Sequence, residues 1–141
     1  MALTIRQLSI FLENKSGRLG EVLSALAEGK VNIIALTIAD TSEYGILRLI
    51  VSHPEEACRL LKEKGFSVNL NDVISLEMGT QPGSLSVIMN QFSAANVGVE
   101  YLYAFSFGAK AVMVMRTTDR PLALEIIEKN NFKLITESDL R

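Results

Sequence analysis

Leu19, Val22, Leu23 and Leu26 fall at i, i+3, i+4 and i+7, the spacing that lines one face of an α-helix with apolar side chains. The run before them, Thr4 to Leu12, ends on Ile10, Phe11 and Leu12 and reads as a strand. Between the two lies a small polar turn, Asn14-Lys15-Ser16-Gly17. Gly29 sits where a helix-terminating glycine belongs. Val31 to Ala39 is rich in β-branched residues and predicts a second strand. Asp40 to Glu43 is a turn, and Tyr44 to Val51 closes a hairpin with that strand. Pro54 suits the first turn of a helix. Ala57, Leu60, Leu61 and Lys64 then follow at helical spacing, Gly65 stops the helix, and Phe66 to Leu70 is a short strand. The order is βαββαβ, a ferredoxin-like split βαβ arrangement.

The pattern then repeats at an offset of 66 residues. Gly17 meets Gly83, Leu19 meets Leu85, Val22 meets Ile88 and Leu26 meets Phe92. Val31 meets Val97, Ile33 meets Val99, Leu60 and Leu61 meet Ile126 and Ile127, and Phe66 meets Phe132. The second copy predicts a strand from Asp72 to Met78, a helix from Ser84, strands at Val97–Phe107 and Lys110–Thr117, a helix from about Asp119 to Asn130 and a strand at Phe132–Ile135. The expected fold is therefore α+β: two ferredoxin-like units in tandem, residues 1–70 and 71–141, each an antiparallel sheet with its helices on one face. One such unit alone buries only about 60% of its surface. Two fused copies can cover each other's edges, which predicts that the units pack together.

Composition narrows the function class. A chain of 141 residues that is 48% hydrophobic and 21% charged can build an ordinary core. Its net charge of −2 lacks the basic excess of a nucleic-acid binder. A single cysteine, Cys58, allows no intrachain disulfide and suits a reducing compartment. No apolar run has the length of a membrane span, and the N-terminus is too interrupted by polar residues for a signal peptide. These features predict a soluble cytoplasmic protein with neither nucleic-acid nor membrane partners.

Catalytic and metal chemistry find little support. The only histidine, His53, lies five residues from Cys58, too few ligands for a metal centre and too few groups for a nucleophilic triad. His53 precedes Pro54 and reads as a turn residue, and Cys58 reads as packing. Phosphate-binding glycine loops of the usual spacings are missing, so no cofactor is expected. Tyr101, Tyr103, Phe105 and Phe107 alternate along one strand face. With few basic residues around them they read as core or interface rather than a base-stacking surface. Met78, Met89, Met113 and Met115 read as core.

What remains is the loop-to-helix turn, present in both copies. Free N–H groups at a helix start, with the helix dipole behind them, form a small anion site. Gly17 and Gly83 let a ligand reach the backbone unobstructed. A carboxylate is the right size, although any βα turn also favours glycine.

At this point the chain resembles a pair of ACT domains, regulatory βαββαβ modules that bind amino acids. The resemblance rests on Ser16-Gly17-Arg18-Leu19 with Gly29-Lys30-Val31-Asn32-Ile33, and on Pro82-Gly83-Ser84-Leu85 with Asn96-Val97-Gly98-Val99. It spans the whole chain, twice. It implies ligands held where two units meet, the loop and helix start of one facing the start of the second strand of the other. The chain departs from the family pattern in four places. Asn14 and Thr80 stand where aspartate is frequent, Ser16 where proline is usual, and Gly98 where asparagine is usual. The two pseudo-equivalent sites are thus chemically unequal.

The resemblance implies a non-enzymatic regulatory protein binding a free L-amino acid, with apolar, aromatic or imidazole side chains favoured because the loops hold no acidic residue. The ligand carboxylate would take N–H groups of Gly17, Arg18 and Leu19, or of Gly83, Ser84 and Leu85, in loops that include Lys15, Ser16, Gln81 and Pro82. Its ammonium would meet the Asn32 side chain, backbone carbonyls of Val31–Ile33 or of Val97–Val99, Gly98 included, or Asn14, with Glu100 as a further candidate. Lys15 and Arg18 would add positive charge, or simply be solvated. A homodimer and an amino-acid biosynthetic enzyme are the expected protein partners. With no catalytic domain in the sequence, a stand-alone sensor or regulatory partner is expected. The alternative is a module that docks on a metabolic enzyme without binding a small ligand.

Overall fold

A computed structural model describes residues 3–13, 16–40, 44–79 and 81–140. The elements are β1 (Ile5–Glu13), α1 (Arg18–Glu28), β2 (Ile33–Asp40), β3 (Tyr44–Val51), α2 (Pro54–Glu63), β4 (Ser67–Met78), α3 (Ser84–Ala94), β5 (Val99–Phe107), β6 (Lys110–Thr117), α4 (Arg120–Lys129) and a closing 3₁₀ turn, Glu137–Leu140. They form two tandem βαββαβ-like units with antiparallel strands. The hairpin turn expected at 40–43 falls largely outside the described residues.

The chain divides into two compact bodies, Arg6–Asp72 and the part from Val73 onward, which also holds Ile5. In the first body the strand order is β2-β3-β1-β4, and in the second β4-β6-β5. Each body buries one helix-facing core. In the first, β1 supplies Leu8 and Ile10, β3 Leu47 and Leu49, α1 Val22 and Leu26, and α2 Ala57 and Leu61. In the second, the same roles fall to Ile74 and Leu76, Met113 and Met115, Ile88 and Phe92, and Ala123 and Ile127. Every pair is separated by 66 residues, and all sixteen are no more than 2% exposed. The repeat seen in the sequence is thus a repeat of core positions, where volume matters most.

All four helices stop the same way. Lys30, Gly65, Asn96 and Asn131 adopt left-handed backbone, with φ of 57°, 87°, 60° and 59°. Behind them the N–H groups of Val31, Phe66, Val97 and Phe132 reach back to the carbonyls of Leu26, Leu61, Phe92 and Ile127. These are the long closing bonds of a Schellman turn. Gly29 is the C-cap of α1, as expected, but without the left-handed backbone usual for such a glycine. Its φ is −81°, and a Cβ there would overlap Leu60 Cδ1. It is a contact point between α1 and α2.

Two further differences shape the second body. The strands expected at Phe66–Leu70 and Asp72–Met78 are one continuous strand, β4. The polar stretch Asn69–Asp72 reads as a joint, yet it alternates along the strand, and Ser9 Oγ donates to Asn71 Oδ1 at 2.8 Å. The strand expected at Phe132–Ile135 is reduced to a single bridge, Leu76 to Leu134, flanked by Glu77 N–H to the Lys133 carbonyl and Ile135 N–H to the Ser75 carbonyl. The chain then turns at Thr136, whose N–H donates to Asp139 Oδ2 at 2.8 Å and whose hydroxyl donates to it at 3.0 Å.

Those bonds hold the Asp139 carboxyl below its usual range, the backbone N–H of Thr136 most, then its hydroxyl, with Lys133 and Lys110 adding charge. A carboxyl depressed in the folded state stabilises above its unfolded value of about 3.9 and loses that contribution as pH falls through the folded value. The turn should therefore open on acidification below about pH 4. The Thr136 amide resonance should follow that titration, and Asp139→Asn should remove it. A Thr136 amide indifferent to acid would contradict the assignment.

The aromatic stripe lies where the pattern put it. Tyr101, Tyr103, Phe105 and Phe107 pair with Arg116, Val114, Val112 and Lys110, on the side away from the helix-facing Met113 and Met115, and all four are half-buried. Met113 and Met115 are fully buried, and Met78 and Met89 pack against the same core. Cys58 is buried and free.

Candidate functional site

Both candidate loops end in a glycine with left-handed backbone, Gly17 at φ 89° and Gly83 at φ 90°. That conformation is cheap only for glycine. Each glycine is the N-cap of its helix and has no side chain to satisfy the helix start. Helix α4 is built otherwise, since Asp119 Oδ1 accepts from Leu122 N–H at 3.1 Å. In α1 the first N–H returned to the chain is that of Glu21, to the Gly17 carbonyl at 3.0 Å. Among the described residues the N–H groups of Arg18, Leu19 and Gly20 precede the first helical bond, at the positive end of the dipole.

The second loop is more closed. Ser84 N–H donates to the Gln81 carbonyl at 3.1 Å, Ser84 Oγ to the same carbonyl at 2.8 Å, and Ser86 Oγ to the Gly83 carbonyl at 2.8 Å. Gly79 lies so close that a Cβ there would meet Ser84 Oγ at 2.6 Å. Gln81, Pro82 and Gly83 are exposed, and Leu85 packs on the second core. In this loop two serine hydroxyls therefore occupy the Gln81 and Gly83 carbonyls, and the Ser84 N–H is already bonded.

Beside the first loop runs a groove of about 510 Å³ bordered by Gly17, Gly20, Glu21, Ser24, Lys64 and Phe66. Arg18 lies over the Phe66 ring at 5.1 Å and pairs through Nη1 with Glu21 at 2.9 Å. Its Nε is buried without a hydrogen bond among the described residues. Lys64 reaches Glu28 at 3.3 Å. Ser16 is exposed, and Leu19 packs against the first core. Asn14 and Lys15 lie outside the described residues, as does Thr80.

The strand-start candidates are held by a second repeated device. Asn32 N–H donates to Ser52 Oγ and the Asn32 carbonyl accepts from Ser52 N–H, both at 2.9 Å. Gly98 does the same with Thr118 Oγ1 and Thr118 N–H, again at 2.9 Å. Ser52 Oγ also lies 3.0 Å from His53 Nδ1. The Asn32 side chain stays exposed. Ile33 and Val99 pair with Val51 and Thr117, each followed by a register shift, a bulge of the sort that re-aims side chains. Glu100 falls in the second bulge and faces Arg116 Nε at 3.9 Å, so it already has a cation nearby.

The sequence did not single out Gly20, Ser24 and Phe66, or the partners Ser52 and Thr118. The small residues Gly17, Gly20 and Ser24 at helical spacing were the available signal for the groove. Within one unit, Gly17 and Asn32 lie at opposite ends of α1. Eleven helical residues span about 16 Å, so no single unit brings both to one amino acid.

Among the described residues no group of three or more His, Cys, Asp or Glu is placed to hold a metal, and no helix is long and apolar enough to cross a membrane.

Comparison with known proteins follows the same lines. The profile of the ACT domain pair matches residues 3–141. A crystal structure of a Bacteroides thetaiotaomicron protein is similar at 41% identity, with a TM-score of 0.93 over 99% of this chain and 96% of that one. The regulatory subunits of aspartate kinase from Thermus thermophilus and Thermus flavus share the fold, with TM-scores of 0.62 and 0.59 at 14% and 15% identity. Each alignment covers 88% of this chain, and 91% and 90% of theirs respectively. No curated protein sequence matches.

Proposed function

The chain belongs to the ACT domain pair family, and from that premise we propose that it is a non-catalytic regulatory protein that binds a free amino acid where two ACT-like units meet. The observation that carries this reading is Gly17, a left-handed N-cap that leaves the α1 N–H groups uncapped beside a groove. The ligand carboxylate sits on the N–H groups of Gly17, Arg18 and Leu19. Its ammonium is taken by Asn32 of another unit, since the length of α1 separates the two within one unit. Asn14, Lys15 and Ser16 complete the loop around it. The second loop, from Gln81 to Leu85 with Gly98, Val99 and Glu100, is the weaker of the two, because the Ser84 N–H that a carboxylate would need is already given to the Gln81 carbonyl. An apolar, aromatic or imidazole side chain suits the ligand. A homodimer is one way to supply the second unit, and an amino-acid biosynthetic enzyme is the partner that would receive the signal.

Leu36 and Ile38 favour a second reading. They lie on edge strand β2 at 48% and 43% exposure, as an enzyme-docking module would require. Thermal melting against the twenty amino acids separates the two. One L-amino acid should raise the melting temperature saturably, and at 100 times its dissociation constant the gain is about 2.7 kcal/mol. If none shifts the melt at millimolar concentration, the docking module is the better reading.

A further inference from the structure

The tip of the β5–β6 hairpin and the C-terminal turn of the second body border a half-open cavity of about 270 Å³. It is no part of the repeat. The positions 66 residues before Ile135–Leu140 are Asn69–Ile74, which run on as strand β4. The cavity exists because the chain leaves the sheet after Leu134 and turns at Thr136. Phe107, Val112, Ile135 and Leu140 make its apolar walls, and Lys110 and Asp139 supply one charge of each sign. Val112, Ile135 and Leu140 are buried, so the walls are set by core packing. Asp139 is fixed in place, its Oδ2 accepting both the N–H and the hydroxyl of Thr136, which leaves Oδ1 for a guest. Lys110 makes no ion pair among the described residues.

Size and charge together select the guest. Sites for drug-sized molecules begin at about 300 Å³, so this one suits something smaller. A lone carboxylate would gain Lys110 but be repelled by Asp139, and a lone amine would suffer the reverse. A zwitterion satisfies both. We infer that this cavity is a second small-molecule site, taking a free α-amino acid with a compact apolar side chain, its carboxylate on Lys110 Nζ and its ammonium on Asp139 Oδ1. The inference goes beyond the loop at Gly17 and does not depend on it.

The test is amide NMR of the full chain titrated with L-leucine and L-phenylalanine, with isocaproate and isoamylamine as the one-charge controls. Saturable shifts are expected at 108–110 and 135–140 for at least one amino acid, with tenfold or weaker binding of both controls. Ala109→Phe, which fills the cavity from an exposed turn, should abolish those shifts, and Lys110→Met should weaken binding about tenfold, or 1.4 kcal/mol. Unchanged spectra elsewhere show that both variants fold. The proposal fails if neither amino acid moves these amides at millimolar concentration, or if Lys110→Met binds as the parent does. Shifts confined to Arg18–Glu21 overturn this site and leave the loop reading standing. Shifts confined to the cavity support this site and show that the loop at Gly17 takes neither of these two amino acids.

Discussion

Phe92→Ala is expected to cost about 3–5 kcal/mol, a large part of the 5–15 kcal/mol that holds a typical domain together. Phe92 is 1% exposed and belongs to the core formed by Ile74, Leu76, Met113 and Met115. Its carbonyl also receives the Val97 N–H at 2.8 Å that closes α3. Truncation removes the ring's burial and leaves a void that strands and helices held in register cannot collapse to fill. Its counterpart Leu26 is also fully buried, so Leu26→Ala should cost about 2–5 kcal/mol by the same mechanism. Urea denaturation followed by amide signals from each half measures both. A loss below about 1 kcal/mol for Phe92→Ala would mean that the core rearranges freely, against the close packing expected of interiors.

Gly17→Val should abolish the ligand-induced rise in melting temperature, a loss of up to about 2.7 kcal/mol at 100 times the dissociation constant. No atom of the described residues lies within 4 Å of a Cβ built at Gly17, so the first added carbon meets no clash there. It has two effects. Left-handed backbone costs an L-residue about 1–2 kcal/mol, and the valine side chain stands over the N–H groups that the carboxylate needs. Gly83→Val separates them. Its φ is 90° against 89° at Gly17, so the conformational cost is alike, while Ser84 N–H already bonds the Gln81 carbonyl and less binding remains to lose. Calorimetric melts of both variants, with and without the amino acid, measure the difference. If Gly17→Val keeps the full ligand shift while Gly83→Val loses it, the working loop is the second one. If both keep it, neither loop holds the carboxylate.

Hydrophobic spacing located all four helices and six strands because the buried positions recur with the period of each element. The 66-residue offset held because core volume is conserved between the two units. The two bodies do divide at Asp72, but the break expected there between two strands is missing from β4, because polar residues mark turns and also the solvent-facing positions of a strand, and pairing across the sheet decides between them. Gly29 does end α1 as its C-cap, but a glycine at a helix end has two physical uses, left-handed backbone and close approach, and Lys30 takes the first. The loops at Gly17 and Gly83 could be found from composition. That the two are unequal was also legible, from Asn14, Ser16, Thr80 and Gly98; how the second is closed was not, since that depends on where two serine hydroxyls point. The C-terminal cavity left no trace in the repeat because it arises where the repeat stops.

Strand β4 carries a constraint on how such chains can change length. Val68 and Leu70 face one core, and Ile74 and Leu76 face the other, all at even positions of one unbroken strand. Side chains alternate with a period of two, so the connection between the repeats has a parity. A single residue added at Asp72 would turn the rest of the strand over, presenting Val73 and Ser75, which are buried on its other face, to a core shaped for Ile74 and Leu76. An added pair would restore the phase. Homologous chains should therefore differ across this segment by even numbers of residues, or carry a bulge wherever they differ by one.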